Sequence, residues 1–328
     1  MGGKHPGKRK YLLLFPSYCR AGYIGVSSPM RVVVIINPIS GTGSSPAVAR
    51  QRAQFATAIL SAAGIECDVR VTERAGHAYT IAREAVERHT TLVLAWGGDG
   101  TMNEVGRALV WSPTVLALIP AGSGNGLARE LHIPFDPTQA FHTALHGKDR
   151  TIDAGEIGGQ LFLNAAGVGF DAQVTTLFNN RPKGRRGFSS YVTIAMRELL
   201  TYEPDVYTII INGETLHRHS LFIAVANSQQ YGNGAMIAPN ADLSDGHLDL
   251  VIIPKRSVRE TLWEARRLFN GTITKSPGVE TRRITQATIT GQRPLCLHVD
   301  GEPVANTATA LVVRTHPLAL RVRAAQCD

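Results

Sequence analysis

Thr91-Leu92-Val93-Leu94-Ala95-Trp96-Gly97-Gly98-Asp99-Gly100-Thr101-Met102-Asn103-Glu104-Val105 is an apolar run that ends in a glycine-rich turn and continues with helical spacing. The apolar run predicts a buried strand, and the residues after Gly100 predict a helix. Glycine lets the main chain approach a ligand with no Cβ in the way. A helix starting near Thr101 aims free N–H groups and the positive end of its dipole at that ligand, a geometry suited to phosphate. Asp99 sits inside this backbone, where its carboxylate repels a phosphate unless a metal or a cation intervenes. A magnesium nucleotide meets all of these demands. A tight strand-to-helix turn with Asp99 as its N-cap is the plainer alternative.

Outward from this stretch the same form recurs. The apolar segment 115–119 runs into Pro120-Ala121-Gly122-Ser123-Gly124-Asn125-Gly126, and Val32–Ile36 runs into Asn37-Pro38-Ile39-Ser40-Gly41. A helix is expected over 46–63, because Pro46 suits a first turn, Val48, Phe55 and Ile59 share a face, and Gly64 stops it. A strand over 67–71 and a helix over about 78–88 follow. The alternation predicts a doubly wound parallel sheet with ligands at the carboxyl ends of its strands, so that both glycine loops face one nucleotide.

After about residue 150 the pattern changes to short alternating runs: 160–165, 206–211, 220–226, 248–253, 283–290 and 295–299. Asn212-Gly213 and Asp245-Gly246 supply turns between them. Helical stretches are expected near 189–200 and 258–269. The expected fold class is therefore α/β: an N-terminal doubly wound parallel-sheet nucleotide-binding domain over 30–148 and a C-terminal antiparallel β-sandwich domain over 149–305. The cleft between them is the natural active site.

The 328 residues carry a formal net charge of +8 and are 44% apolar, which fits a globular chain drawn to anionic partners. No stretch approaches the roughly 20 apolar residues needed to span a bilayer. The four cysteines are scattered without metal-ligand spacing, which favours a reduced, cytoplasmic protein. Residues 1–29 read as a disordered extension: the apolar core 11–15 is too short for a signal peptide, and Pro16 and Arg20 keep it from extending. Met30 is an alternative start. No nucleic-acid-binding motif is present, and the eleven histidines show no paired ligand spacing.

The block from Gly97 to Val105 resembles the nucleotide loop of the diacylglycerol kinase and sphingosine kinase catalytic family, and NAD kinases share its shorter core. Asn37-Pro38-Ile39-Ser40-Gly41 is similar to the family's opening motif and the segment 120–129 to its second glycine loop. Gly167-Val168-Gly169-Phe170-Asp171 resembles a lipid-side motif, and the segment 238–249 and Val299-Asp300-Gly301-Glu302-Pro303 resemble late acidic motifs. The resemblance runs in consistent order from about Arg31 to about Val322. It implies an ATP- and Mg²⁺-dependent lipid kinase whose acceptor is diacylglycerol, a sphingoid base or a related lipid. It also implies that part of 306–328 returns to the first domain. The alternatives are an NAD kinase-like enzyme and a catalytically silent nucleotide- or lipid-binding regulator.

Phosphoryl transfer needs the phosphates cradled, the metal held and the acceptor hydroxyl placed in line. Gly97, Gly98, Asp99, Gly100, Thr101, Gly122, Ser123, Gly124 and Asn125 are the expected cradle, with Asn37 and Asn103 as added donors. The resemblance makes Asp300 the base that activates the lipid hydroxyl, with Asp99 as its rival and Glu302 organising metal or nucleotide. Asp300-Gly301 is equally a common β-turn pair. Asp242 and Asp245, with the His247 backbone carbonyl, are implied as a structural Mg²⁺ site, against a plain acidic turn. Asp171 is implied to bind the acceptor headgroup, against N-capping of the adjoining helix. Asp153 is expected near the nucleotide carboxylates. Arg181, Lys183, Arg185 and Arg186 form a basic loop suited to an anionic leaflet, so a transient contact with the inner face of the membrane is expected, and a homodimer is compatible. Two departures, Gly126 where many bacterial relatives carry aspartate and Thr42-Gly43-Ser44 where a basic residue is frequent, bear on the acceptor and on the carboxylate network.

Overall fold

The computed structural model describes residues 30–41, 45–181 and 188–325. Residues 1–29, the segment 42–44, and Lys183, Arg185 and Arg186 lie outside the described residues.

The first half is built on four apolar or half-apolar strands. β1 (Val32–Ile36) is buried along its whole length and made of β-branched residues, which suits a central strand. α1 (Pro46–Ala62) starts with Ser45 accepting the Val48 N–H at 3.3 Å. β2 (Cys67–Val71), α2 (His77–Glu87), β3 (Leu92–Gly97), α3 (Asp99–Leu109) and β4 (Val115–Pro120) continue the alternation. β1 pairs in parallel with β2 and β3, and β3 with β4, so the ends of β1, β3 and β4 line one edge. Two helices that no periodicity announced come after the second glycine loop, α4 (Gly126–Glu130) and α5 (Pro137–His146). α5 is capped by Asp136, whose carboxylate accepts the Gln139 N–H at 3.0 Å. Phe141 of α5 meets Trp96 and Phe55 edge-on at 5.4 and 5.9 Å, closing the core over the end of β3.

β5 (Lys148–Ile157), β6 (Gln160–Phe162), β7 (Ala165–Gly169), α6 (Phe170–Asn179), α7 (Phe188–Leu199), β8 (Asp205–Ile211) and β9 (Glu214–Ala226) open the second half. The hairpin β10 (Gln230–Gly232) and β11 (Ala235–Met236) comes next, then β12 (Leu248–Pro254), α8 (Val258–Ala265), β13 (Glu280–Ile284), β14 (Gln286–Thr290), β15 (Leu297–Val299), β16 (Glu302–Val304) and β17 (Ala310–Ala324). Pairing here is antiparallel, with β9 flanked by β7, β8 and β12. The parallel-then-antiparallel expectation holds. β17 pairs with β14 near its start and meets β4 in parallel at Val322 and Leu116, so one continuous sheet runs through both halves.

Two expected strands are broken. The run 160–165 divides into β6 and β7 because the backbone at 163–165 turns its N–H groups toward Asp300. The run 283–290 divides into β13 and β14 at Thr285, whose carbonyl accepts the Thr315 N–H at 2.9 Å. The expected helix over 258–269 ends at Ala265 and gives way to a 3₁₀ turn. Among the described residues no helix is long and apolar enough to cross a membrane.

Phe141 has no exposed surface. Its replacement by alanine should cost about 3–5 kcal/mol, read as a lowered urea midpoint with an unchanged slope.

Candidate active site

Three loops converge at the carboxyl edge of the parallel strands. The Asn37 side chain donates to Thr101 Oγ1 at 2.8 Å, joining the end of β1 to the first turn of α3. Arg52 of α1 donates to the Asn37 and Ser40 carbonyls at 3.0 and 2.9 Å and holds the first loop in place. The two glycine loops touch backbone to backbone: a Cβ on Gly122 would lie 2.7 Å from Gly98 Cα. Among the described residues no side chain caps α3, so its first N–H groups face outward beside Gly98. Asp99 does not reach into this space. It accepts the Asn125 N–H at 2.7 Å and the Gly126 N–H at 2.6 Å, and so sets the second loop against the first. Asn125 completes the loop by accepting the Gly122 N–H at 3.0 Å. Ser123 is exposed at the loop tip and Asn103 is on the buried face of α3.

Asp300 and Gly301 form the two-residue turn of the β15–β16 hairpin, both with positive φ (46° and 78°), as a primed turn requires. The turn reading and the site reading of this pair are therefore both realised. Asp300 Oδ1 accepts the Asn164 and Ala165 N–H groups at 2.8 and 2.9 Å. Oδ2 accepts the Leu163 N–H at 2.9 Å and the Asn103 side-chain amide. Four donors fill the lone-pair directions of this carboxylate. As placed, Asp300 is a cross-brace with no acceptor capacity left for a substrate hydroxyl. Burial pushes its carboxyl above the ordinary aspartate value, against the pull of the three backbone donors and Asn103. Burial raises Asp99 as well, opposed by the Gly126 and Asn125 N–H groups and aided by the charge of Asp300. Glu302 is exposed, with its carboxylate beside Gly100 at the start of α3.

A cavity of about 150 Å³ opens between Asp99 and Asp300 on one side and Tyr231 and His298 on the other. The second wall is a buried polar cluster. Asp171, in the first turn of α6, accepts a hydrogen bond from the Tyr231 hydroxyl and lies 3.1 Å from His298 Nε2. Its other oxygen accepts the Ala172 N–H at 2.8 Å, from a position inside the first turn of α6, whose N-cap is Gly169. Nothing in local spacing singled out His298 or Tyr231. His298 is placed because β15 pairs with β7 and sets it opposite Gly167, and Tyr231 joins it from β10.

One expected placement is corrected. Asp153 stands apart from the nucleotide carboxylates: fully buried, it accepts the Gly246 and Leu318 N–H groups, both at 2.7 Å, and ties the turn at Gly246 and the irregularity in β17 to β5. In the 242–247 loop the residues expected to hold a cation also make contacts of their own. Asp242 accepts the Ser244 N–H and hydroxyl at 2.9 Å, Asp245 is paired with Arg283, and His247 Nδ1 turns back on the Asp245 carbonyl at 2.8 Å. Among the described residues no three metal-ligating side chains gather.

A parallel sheet with paired glycine loops, closed by antiparallel strands over a polar cavity, is a fold shared with solved kinases. The structure of a diacylglycerol kinase from Bacillus anthracis str. Sterne superposes with a TM-score of 0.67 at 18% identity, covering 91% of this chain and 98% of that one. A second chain from that organism reaches 0.75 at 19% identity, covering 92% and 98%. Residues 31–157 match the diacylglycerol kinase catalytic domain, and 164–324 match the YegS C-terminal NAD kinase beta sandwich-like domain. The "Probable lipid kinase YegS-like" protein of Pseudomonas fluorescens is 32% identical over 80% of this chain and 86% of its own length. The "Diacylglycerol kinase" of Bacillus subtilis is 30% identical over 83% and 89%. The chain belongs to the diacylglycerol kinase/YegS-like family, and it is a lipid kinase.

The cross-brace geometry makes a distinguishing prediction. Asp300→Asn replaces an acceptor oxygen with an amide that faces donors, so stability should fall by about 2–4 kcal/mol. Chemical denaturation checks this; an unchanged midpoint with lost turnover would mark Asp300 as a base and not a brace.

Proposed function

We infer that the chain transfers the γ-phosphate of ATP to a hydroxyl of a lipid such as diacylglycerol or a sphingoid base. The observation that carries this reading is the backbone contact between the glycine loops beside the uncapped start of α3. Phosphoryl transfer asks the protein mainly to position phosphates and to stabilise spreading negative charge. Bare N–H groups at Gly98, Gly100 and Thr101, with Ser123 and Gly124 opposite, suit that task. Asn37, Thr101 and Asn103 add side-chain dipoles from the floor. No lysine of the P-loop type takes part, so charge compensation falls to the backbone dipoles and to the cation carried with ATP.

The residues present fit a magnesium nucleotide at one place. Glu302, exposed beside Gly100, would hold the cation together with the phosphates, since Mg²⁺ keeps several waters and takes one or two protein carboxylates. Bound there, it would neutralise charge on the β- and γ-phosphate oxygens. Asp99 shapes the donor side through its hold on Asn125 and Gly126. The cavity leading from Asp99 to His298 supports an acceptor that enters from the β-domain side and presents its hydroxyl to the loops.

The deciding experiment is transfer of labelled γ-phosphate from Mg-ATP to diacylglycerol, monoacylglycerol, sphingosine, ceramide, phosphatidylglycerol and NAD. Label in a lipid is expected; label on NAD alone would overturn the reading. In the same assay Gly122→Ala should weaken ATP binding by at least about tenfold, about 1.4 kcal/mol, because its Cβ cannot coexist with Gly98 at the present loop spacing. Calorimetric titration with ATP measures that loss.

A further inference from the structure

A surface helix ordinarily turns its apolar stripe inward and its charges to water; α8 does the reverse. None of its residues is buried, and the same holds for the 3₁₀ turn Arg266–Leu268 that continues it. Arg259, Leu262, Trp263 and Arg266 follow one another at the i, i+3, i+4 and i+7 spacing of a single helix face, and all four are exposed. Trp263 is 60% exposed, Leu262 39%, and Phe269, directly after the turn, 49%. The half-buried positions are instead Val258, Thr261, Glu264 and Ala265. The largest apolar side chains of the segment therefore point at solvent.

The charge on this face is positive. Both glutamates of α8 are engaged at its flank. Glu260 accepts the Ser257 N–H at 3.1 Å and the Ser257 hydroxyl at 2.6 Å, closing a capping box. Glu264 lies 2.7 Å from the Arg267 guanidinium and 3.8 Å from that of Arg256. Lys255, Arg259 and Arg266 pair with no carboxylate among the described residues. The Arg266 guanidinium stacks over the Trp263 ring, 3.1 Å from its centroid, so cation and aromatic ring stand together on the outer face. Beside them a groove of about 950 Å³ runs between α8 and the turn at 277–278, with Lys255, Arg256, Arg259 and Trp263 on its walls.

We propose that α8 and the turn after it dock on an anionic bilayer surface; this rests on the reading of the chain as a kinase of membrane lipids. Leu262, Trp263 and Phe269 enter the boundary between headgroups and acyl chains, and Lys255, Arg259 and Arg266 meet lipid phosphates. Arginine and lysine set beside tryptophan and leucine on one face is the composition of a helix that lies in the plane of the interface. An acidic protein would use the cations alone. A bilayer offers phosphate and hydrocarbon within about 5–10 Å of depth, which suits both kinds of side chain on this face. The position suits the task too. Leu268, at the end of the turn, packs on the same apolar cluster as Tyr231, a wall residue of the cavity. A Cβ on Gly271 would lie 3.1 Å from Met236 Cε, so the segment rests on the β10–β11 hairpin that carries Tyr231. A leaflet held by α8 is thus joined through this hairpin to the cavity that would receive the acceptor.

Co-sedimentation with vesicles of phosphatidylglycerol, against vesicles of phosphatidylcholine, reads the docking. Wild-type protein should prefer the former, and Arg259→Glu combined with Arg266→Glu should weaken that partition by at least about tenfold. The urea midpoint should not move, since neither α8 nor the turn buries a residue. Quenching of tryptophan fluorescence by lipids brominated on the acyl chain should vanish in Trp263→Phe and persist in Trp111→Phe, which removes the other exposed tryptophan. Turnover of water-dispersed dioctanoylglycerol by the double variant should stay within about threefold of wild type, while turnover of dioleoylglycerol in phosphatidylglycerol vesicles falls with the binding. A double variant that partitions within about threefold of wild type, or quenching that survives Trp263→Phe, overturns the proposal. Wild-type protein that ignores phosphatidylglycerol vesicles overturns it as well and returns this face to an acidic protein partner. Wild-type protein that docks through α8 and labels no lipid overturns the kinase reading alone.

Discussion

Four hydrogen bonds into one carboxylate hold the two halves of this protein in register. Asp300 sits in a tight hairpin turn of the antiparallel half and accepts three consecutive backbone N–H groups at the break between β6 and β7. Its fourth donor is Asn103, on the helix that begins at the first glycine loop. Backbone N–H groups buried without partners are costly, and here a single side chain settles three of them at a place where the sheet ladder cannot. The interruption of the strand, the positive φ of Asp300 and the depth of α3 are parts of one arrangement.

From that brace the cavity is formed. With α3 and β15 fixed against each other, the glycine loops form one wall and the Asp171–Tyr231–His298 cluster the other. Both walls depend on missing side chains. Gly98 and Gly122 allow two loops to touch, and Gly167 leaves room for three polar groups that a methyl would push apart. Negative charge is handled by compensation in place: Asp99 by loop N–H groups, Asp245 by Arg283, and Asp171 by a hydroxyl and an imidazole.

The alternation of the first half was legible because β1, β3 and β4 are buried on both faces and read as continuous apolar runs. The glycine loops were legible because a turn between strand and helix carries its conformational demand in its own residues. Short elements were less so: α4 and α5 come after a loop with no strong period, and β6 and β7 read as one strand because the cause of their separation lies 137 positions away at Asp300. The partner of Asp245 was equally out of reach, since Arg283 is 38 positions on. Asp153 went unrecognised as a brace for the same reason, since Leu318 is 165 positions away.

By itself the sequence determined the local backbone: which runs become strands, where glycine permits a close approach, and that two phosphate-type loops stand on one edge of a parallel sheet. Those properties depend on neighbours along the chain, within the reach of periodicity and turn chemistry. Tertiary structure alone decided what each carboxylate does. Whether an aspartate is a brace, an ion-pair partner or an orienting group depends on the donors that surround it, and strand register brings those donors from distant parts of the chain. His298 shows this most plainly: it reaches Asp171 because β15 lies against β7 and Gly167 leaves the space empty, and Tyr231 joins them from β10.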